Sequence, residues 1–175
     1  MMPTDPTLRR PRVSSSASSP GAEVAALVAA LGVGDSQVVE TLFREGVRAA
    51  TVPVLEWLPA LDVCWLDGAD AAERNALRVQ YAADDRAIPD GLALMDRWLA
   101  TPPPAALFAA GRRALRARLA VLDPMEREAL IDAIVARCEA AGRAAGAGFG
   151  VGPLSRLERT RILRLRRDLD AAPTH

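Results

Sequence analysis

Lysine is absent from this chain of 175 residues, so all 22 of its basic residues are arginine. Without lysine no Schiff base can form, and no phosphate loop of the Walker type can end in Gly-Lys-Ser/Thr. Pyridoxal-phosphate chemistry and ordinary P-loop nucleotide hydrolysis are thereby excluded. Histidine is nearly as scarce: the single one, His175, is the last residue, where a side chain belongs to a frayed end. Serine–histidine, cysteine–histidine and histidine–zinc sites are not expected, and nor is an enzyme that depends on them. The two cysteines, Cys64 and Cys138, have no C-x-x-C partner, so neither a zinc knuckle nor a thioredoxin-type pair is present.

Aromatic residues are also few, three Trp, three Phe and one Tyr, although half the chain is apolar. Abundant alanine with few aromatics favours helices packed through small side chains over a strand-rich sandwich. No uncharged apolar run reaches the ~18 residues of a membrane span, and residues 1–21 hold no apolar core of the signal-peptide kind. A cytoplasmic address is expected. The 22 acidic residues balance the basic ones, which argues against a dedicated nucleic-acid domain. A chain of this length buries roughly 68–70% of its unfolded surface in one core, so it needs no metal or disulfide to fold.

Residues 1–21, rich in Ser, Pro and Arg, cannot offset their own ordering entropy and are expected to form a disordered tail. Residues 22–172 are expected to form one all-α domain, a compact bundle of seven to eight helices. Ala22–Leu31 stops at Gly32 and Gly34, and Val38, Val39, Leu42 and Val47 mark a second helix. Val54–Leu66 is apolar nearly all round, with only Glu56 and Asp62 charged, and reads as a central helix bent at Pro59. Asp67-Gly68 then forms a turn, and Asp70-Ala-Ala-Glu73 caps the next helix.

Pro89 opens a helix with Ile88, Leu92, Met95 and Leu99 on one face, and Pro102–Pro104 ends it. Phe108, Leu115, Leu119 and Leu122 mark the following helix, with Arg112, Arg113, Arg116 and Arg118 on a solvated face. Asp123-Pro-Met-Glu126 starts another, buried through Ile131, Ile134, Val135 and Cys138. A glycine-rich connector, Gly146–Gly152, leads to Ser155-Arg-Leu-Glu158 and a last helix packed through Ile162, Leu165 and Leu169. The connector lacks the G-x-G-x-x-G spacing of a dinucleotide loop.

Carboxylates remain as the reactive chemistry. Asp67, Asp70 and Glu73 cluster around one turn, and hard cations take several oxygen ligands. An EF-hand is excluded, because the twelfth position counted from Asp67 is Arg78. Capping and turn formation account for the same residues without a cation.

One arrangement occurs twice. Leu55-Glu-Trp-Leu-Pro-Ala-Leu-Asp-Val-Cys-Trp-Leu-Asp67-Gly68, with Glu73 and a new helix after it, is echoed by Cys138-Glu-Ala-Ala-Gly142, the glycine-rich loop and Leu154-Ser-Arg-Leu-Glu158 before the last helix. These two helix-turn-helix pseudo-repeats resemble the TerB-like family associated with tellurite resistance. The resemblance implies a compact helical bundle in a stress-response setting, with Asp67, Glu73 and Glu158 as ligands of a divalent cation (Ca, Mg or Mn) and Glu139 as a more distant candidate. This chain departs from the family pattern, with Leu66 where alanine is usual and Ala141 where an acidic or small polar residue is common. The expectation is therefore a non-catalytic binding or sensing component with protein partners. The alternative is a helical adaptor whose carboxylates are all caps or surface charges and which holds no metal. Nucleic-acid binding through Arg112–Arg118 or Arg156, Arg159 and Arg164 is disfavoured, since no aromatic residues are interleaved with them for base stacking.

Overall fold

Helices in this chain begin where side chains or prolines deal with the N–H groups that have no intrahelical acceptor. The computed structural model describes residues 19–66, 68–145 and 154–171. The tail expected over 1–21 lies outside the described residues as far as residue 18, as do Asp67, the Gly146–Gly152 connector and His175. Helix α1 (Pro20–Leu31) is capped by the Ser19 hydroxyl, with proline in its first turn. It starts before the expected Ala22 because Ser19-Pro20 is itself a start signal. It ends at Gly32, whose φ of 63° lies in the left-handed region.

The Asp35 carboxylate accepts the Gln37 and Val38 N–H groups and caps α2 (Ser36–Arg44). Helices α4 (Ala71–Ala82) and α8 (Arg156–Asp170) open with full capping boxes. Helix α5 (Pro89–Ala100) opens on proline, and α6 (Ala105–Ala120) follows Pro104. Helix α7 (Pro124–Ala145) starts as its sequence predicts, with Asp123 accepting from the Met125 and Glu126 N–H groups at 2.9 and 3.0 Å. Among the described residues there is no strand, so the all-α expectation is met.

The central segment corrects one expectation. Instead of a single helix bent at Pro59, Val54–Leu66 is divided between a 3-10 helix, Ala49–Trp57, and a short α3, Leu58–Cys64. Pro59 sits in the first turn of α3, where its missing N–H would have had no intrahelical acceptor, so it starts a helix there.

Helix α3 is the axis of the bundle: Leu58, Pro59, Ala60, Leu61, Val63 and Cys64 are all buried. It packs most extensively on α7, with α4, α6 and α8 also in contact. Gly111 lets α6 come close, since a methyl group there would collide with the Leu58 side chain. Helix α5 buries Gly91, Leu94, Met95, Trp98 and Leu99, leaving the expected Ile88 and Leu92 half-buried. The rotation follows from Gly91, which lies directly against the Tyr81 hydroxyl of α4.

Glu56, at the end of the 3-10 helix, has no solvent exposure. An isolated carboxylate there would cost several kcal/mol in lost hydration. Arg86 grips it with two hydrogen bonds of 2.7 and 2.6 Å. Arg118 of α6 reaches it at 2.9 Å and Arg137 of α7 at 3.1 Å. Arg137 also binds Asp84 at 3.2 Å and stacks 4.5 Å from the Trp57 ring centre. Trp57 in turn meets Tyr81 edge to face at 5.4 Å. The expected solvated arginine face of α6 is thus only partly solvated: Arg118 is bound to Glu56, and Arg112 lies 3.5 Å from Asp62.

Burial alone would raise the Glu56 pKa, but the hydrogen bonds and charges of Arg86, Arg137 and Arg118 outweigh it and leave it below the ordinary 4.5. Its stabilisation is therefore complete above pH 4.5 and is lost as pH falls through the lowered folded value. Glu56→Gln should destabilise the fold by about 3 kcal/mol, because three guanidiniums lose their shared anion. Urea midpoints measured against pH should drop on the acid side for the natural chain and more shallowly for the variant. An identical acid limb in both would assign the effect to other carboxylates.

Candidate functional site

The α3 and α7 helices each precede a helix that opens on a capping box. In the first, the Asp70 carboxylate accepts the Glu73 N–H at 2.8 Å, and Glu73 Oε2 accepts the Asp70 N–H at 2.8 Å. In the second, the Ser155 hydroxyl accepts the Glu158 N–H at 3.2 Å, and Glu158 Oε2 accepts the Ser155 N–H at 2.6 Å. This reciprocal pairing satisfies two otherwise orphaned donors at each helix start. Both glutamates are buried, Glu73 to 6% and Glu158 to 4% exposure, which a cap on a surface helix does not require. A methyl group added at Gly142 of α7 would lie 2.8 Å from Glu158 Oε1, so the glycine makes room for the carboxylate.

The thiol of Cys64, at the end of α3, reports on both boxes. Burial pushes its pKa up to about 12, and Glu73 adds to the shift, as do Asp70 and Glu158, against an opposing contribution from Arg74. Two of the three expected ligands, Glu73 and Glu158, thus belong to separate helix starts, and the charge of each acts on this one thiol. Asp67, the third, lies outside the described residues. The more distant candidate, Glu139, is paired with Arg143 at 2.9 Å along α7. Among the described residues no group of three or more His, Cys, Asp and Glu side chains is placed to hold a metal ion.

A further regularity links the halves: Cys64 precedes Gly68 and Cys138 precedes Gly142 at the same C-x-x-x-G spacing. Gly68 has a φ of 83°, which its turn requires. Cys138 is fully buried, and burial followed by the charge of Asp62 pushes its thiol well above the ordinary range. Both thiols stay protonated at neutral pH, a state in which cysteine is neither a useful nucleophile nor a good metal ligand.

Sequence reasoning missed the role of Asp62, the other charge on the central segment. Arg161 of α8 binds its Oδ2 through Nε at 2.9 Å and Nη2 at 2.5 Å. Arg112 of α6 approaches the same oxygen at 3.5 Å, so one partly buried aspartate ties three helices. Elsewhere on α8, Arg166 pairs with Glu128 at 2.6 Å and Asp132 at 2.9 Å. The outer side of α8 is different. Arg156, Arg164 and Arg167 are exposed there, and among the described residues none forms an ion pair. Leu157 and Leu163 lie among them, 64% and 62% exposed.

No family model, curated protein or solved structure matches the chain.

Native protein at pH 8 should react with a disulfide reagent such as DTNB at least about 100-fold more slowly than the urea-unfolded chain at both cysteines. Fast labelling of Cys64 in the native state would show that the end of α3 is open to solvent.

Proposed function

We propose that the chain is a non-catalytic helical binding component, working as an adaptor that docks an acidic protein partner on the outer face of α8. The observation that carries this reading is the unequal treatment of charge across the molecule. Arg86, Arg118, Arg137 and Arg161 are committed to the buried Glu56 and the partly buried Asp62, and Arg166 to Glu128 and Asp132 at the surface. Arg156, Arg164 and Arg167 stand on one helix with no such partner among the described residues. Residues 156, 160, 163, 164 and 167 share a face at helical spacing, so Leu163 lies between guanidiniums.

A surface of this kind suits an acidic partner that also brings apolar side chains, since arginine and exposed leucine together supply steering and contact area. A nucleic acid is favoured less, because no aromatic side chain stands among these arginines. The TerB-like resemblance of the two sequence repeats is the reason this reading takes a stress-response setting, and nothing in it depends on tellurite itself.

The test is capture of partners from extracts of the native host by the natural chain and by the double variant Arg156→Glu, Arg167→Glu. A specific partner should be lost with the charge reversal and should elute from the natural chain as salt rises through roughly 0.3 M, where the screening length falls well below 10 Å. A set of captured proteins indifferent to both changes overturns the reading.

A second reading is supported by the burial of Glu73 and Glu158 at two helix starts and by the effect of both charges on Cys64. In it, Asp67, Glu73 and Glu158 supply oxygen ligands to a divalent cation that fixes the two pseudo-repeats against each other. Oxygen donors suit Ca²⁺, Mg²⁺ or Mn²⁺, and the protonated thiol beside them does not compete. Titration of the full chain with each ion should then give saturable binding that Glu158→Gln weakens at least about tenfold. No saturable signal at millimolar concentrations removes this reading and leaves the adaptor reading intact.

A further inference from the structure

The only charged residue of α3 is also the floor of a cleft. Asp62 lies where α3, α6 and α8 come together, in a recess of about 80 Å³ lined by Pro59, Asp62, Val63, Arg112, Arg161, Arg164, Leu165 and Asp168. Three guanidiniums and two carboxylates share this space, so it carries an excess positive charge. The arginines differ in how they are held. Arg161 uses Nε and Nη2 on Asp62, and Arg112 approaches the same oxygen through Nη1. Asp62 is 18% exposed, so these two guanidiniums are anchored at a partly desolvated base.

Each guanidinium carries five donors in a rigid fork, and the contacts to Asp62 leave Arg161 Nη1 and most of Arg112 uncommitted. Arg164 lines the same recess with no ion pair among the described residues. Asp168, one turn beyond Arg164, is exposed and also unpaired. Among the described residues it is the one lining carboxylate not already bound to arginine.

We infer that this cleft binds a phosphate group, either free or carried as a monoester on a small molecule, through Arg112, Arg161 and Arg164. A phosphate offers an oxygen to each of three guanidiniums approaching from two helices, whereas a carboxylate has only two oxygens to share. The apolar side chains of Pro59, Val63 and Leu165 beside Asp62 lower the local dielectric and strengthen each contact. The volume admits the phosphate group itself and leaves any organic remainder outside. Asp62 serves as the fixed counter-ion that pre-positions two of the donors, and Asp168 sets an upper limit on affinity by opposing the ligand. This inference shares Arg164 with the proposed docking face but is tested separately, since docking is read at Arg156 and Arg167.

The experiment is calorimetric titration of the full chain with inorganic phosphate at low ionic strength, with sodium chloride of matched ionic strength as reference. A second arm uses glycerol phosphate against glycerol. Saturable phosphate binding in the millimolar range or tighter is expected, and binding in the second arm identifies monoesters as ligands as well. Arg164→Gln should weaken binding about fivefold or more, while Asp168→Asn should tighten it about threefold by removing the opposing charge. Both side chains are exposed and unpaired among the described residues, so neither change should disturb folding, which circular dichroism checks. Arg156→Gln, on the same helix but outside the cleft, should stay within about twofold of the natural chain. Absence of saturable binding up to about 20 mM phosphate overturns the inference, as does an Arg156→Gln loss equal to that of Arg164→Gln. An unchanged affinity in Asp168→Asn also counts against it, because it would place the ligand away from the recess.

Discussion

A carboxylate with no access to water sits in the middle of this molecule, and the positions of four segments follow from the need to neutralise it. Glu56 draws Arg86 from the loop between α4 and α5, Arg118 from the end of α6 and Arg137 from the middle of α7. A well-packed apolar residue could fill the same place at similar or lower free energy. The ion cluster instead supplies direction, since each guanidinium must arrive in a particular orientation and an apolar contact imposes none. Trp57 and Tyr81 extend that order outward through ring contacts. The same logic recurs at smaller scale around Asp62, which joins α3 to α6 and α8.

The paired capping boxes show how a local rule can acquire a tertiary role. A glutamate at the third helical position reaches back to the cap residue's N–H whether or not the helix start is buried. In this chain both starts are buried, so Glu73 and Glu158 lie in the interior, although each caps its helix locally. The cation binding proposed for these groups would draw on oxygens that capping already uses. The oxygen that accepts a backbone N–H in each box has less density to offer an ion, while Glu158 Oε1 is turned toward Gly142.

Much of the helical arrangement was legible in the sequence, because it depends on contacts only a few residues apart. Asp123-Pro-Met-Glu126, Asp70–Glu73 and Ser155–Glu158 each mark a helix start through interactions within one turn, and each is found where expected. The bend at Pro59 was misread because the chain leaves a 3-10 helix before that proline, a choice set by tertiary packing that hydropathy does not record. Glu56 and Asp62 were noted only as charges on an apolar segment. Their partners stand 30 and 81 positions away for Glu56 and 99 for Asp62, beyond the reach of any periodicity. The arginines of α6 were read as solvated for the same reason: a helical wheel places a side chain on a face but does not say which neighbour covers that face. The C-x-x-x-G spacing shared by both halves was available as a signal for the buried thiols and for the glycine beside Glu158.

The clasp around Glu56 also orders events during synthesis. As the chain leaves the ribosome, its acidic centre appears well before the last of its three cations, since Arg137 lies 81 positions downstream. Until that residue emerges, a hydrated Glu56 resists being drawn into an apolar interior. The amino-terminal helices can form early, but they have reason to remain loosely associated until α7 arrives to close around them. Vectorial growth thus favours late, concerted locking over stepwise consolidation from the first helix onward.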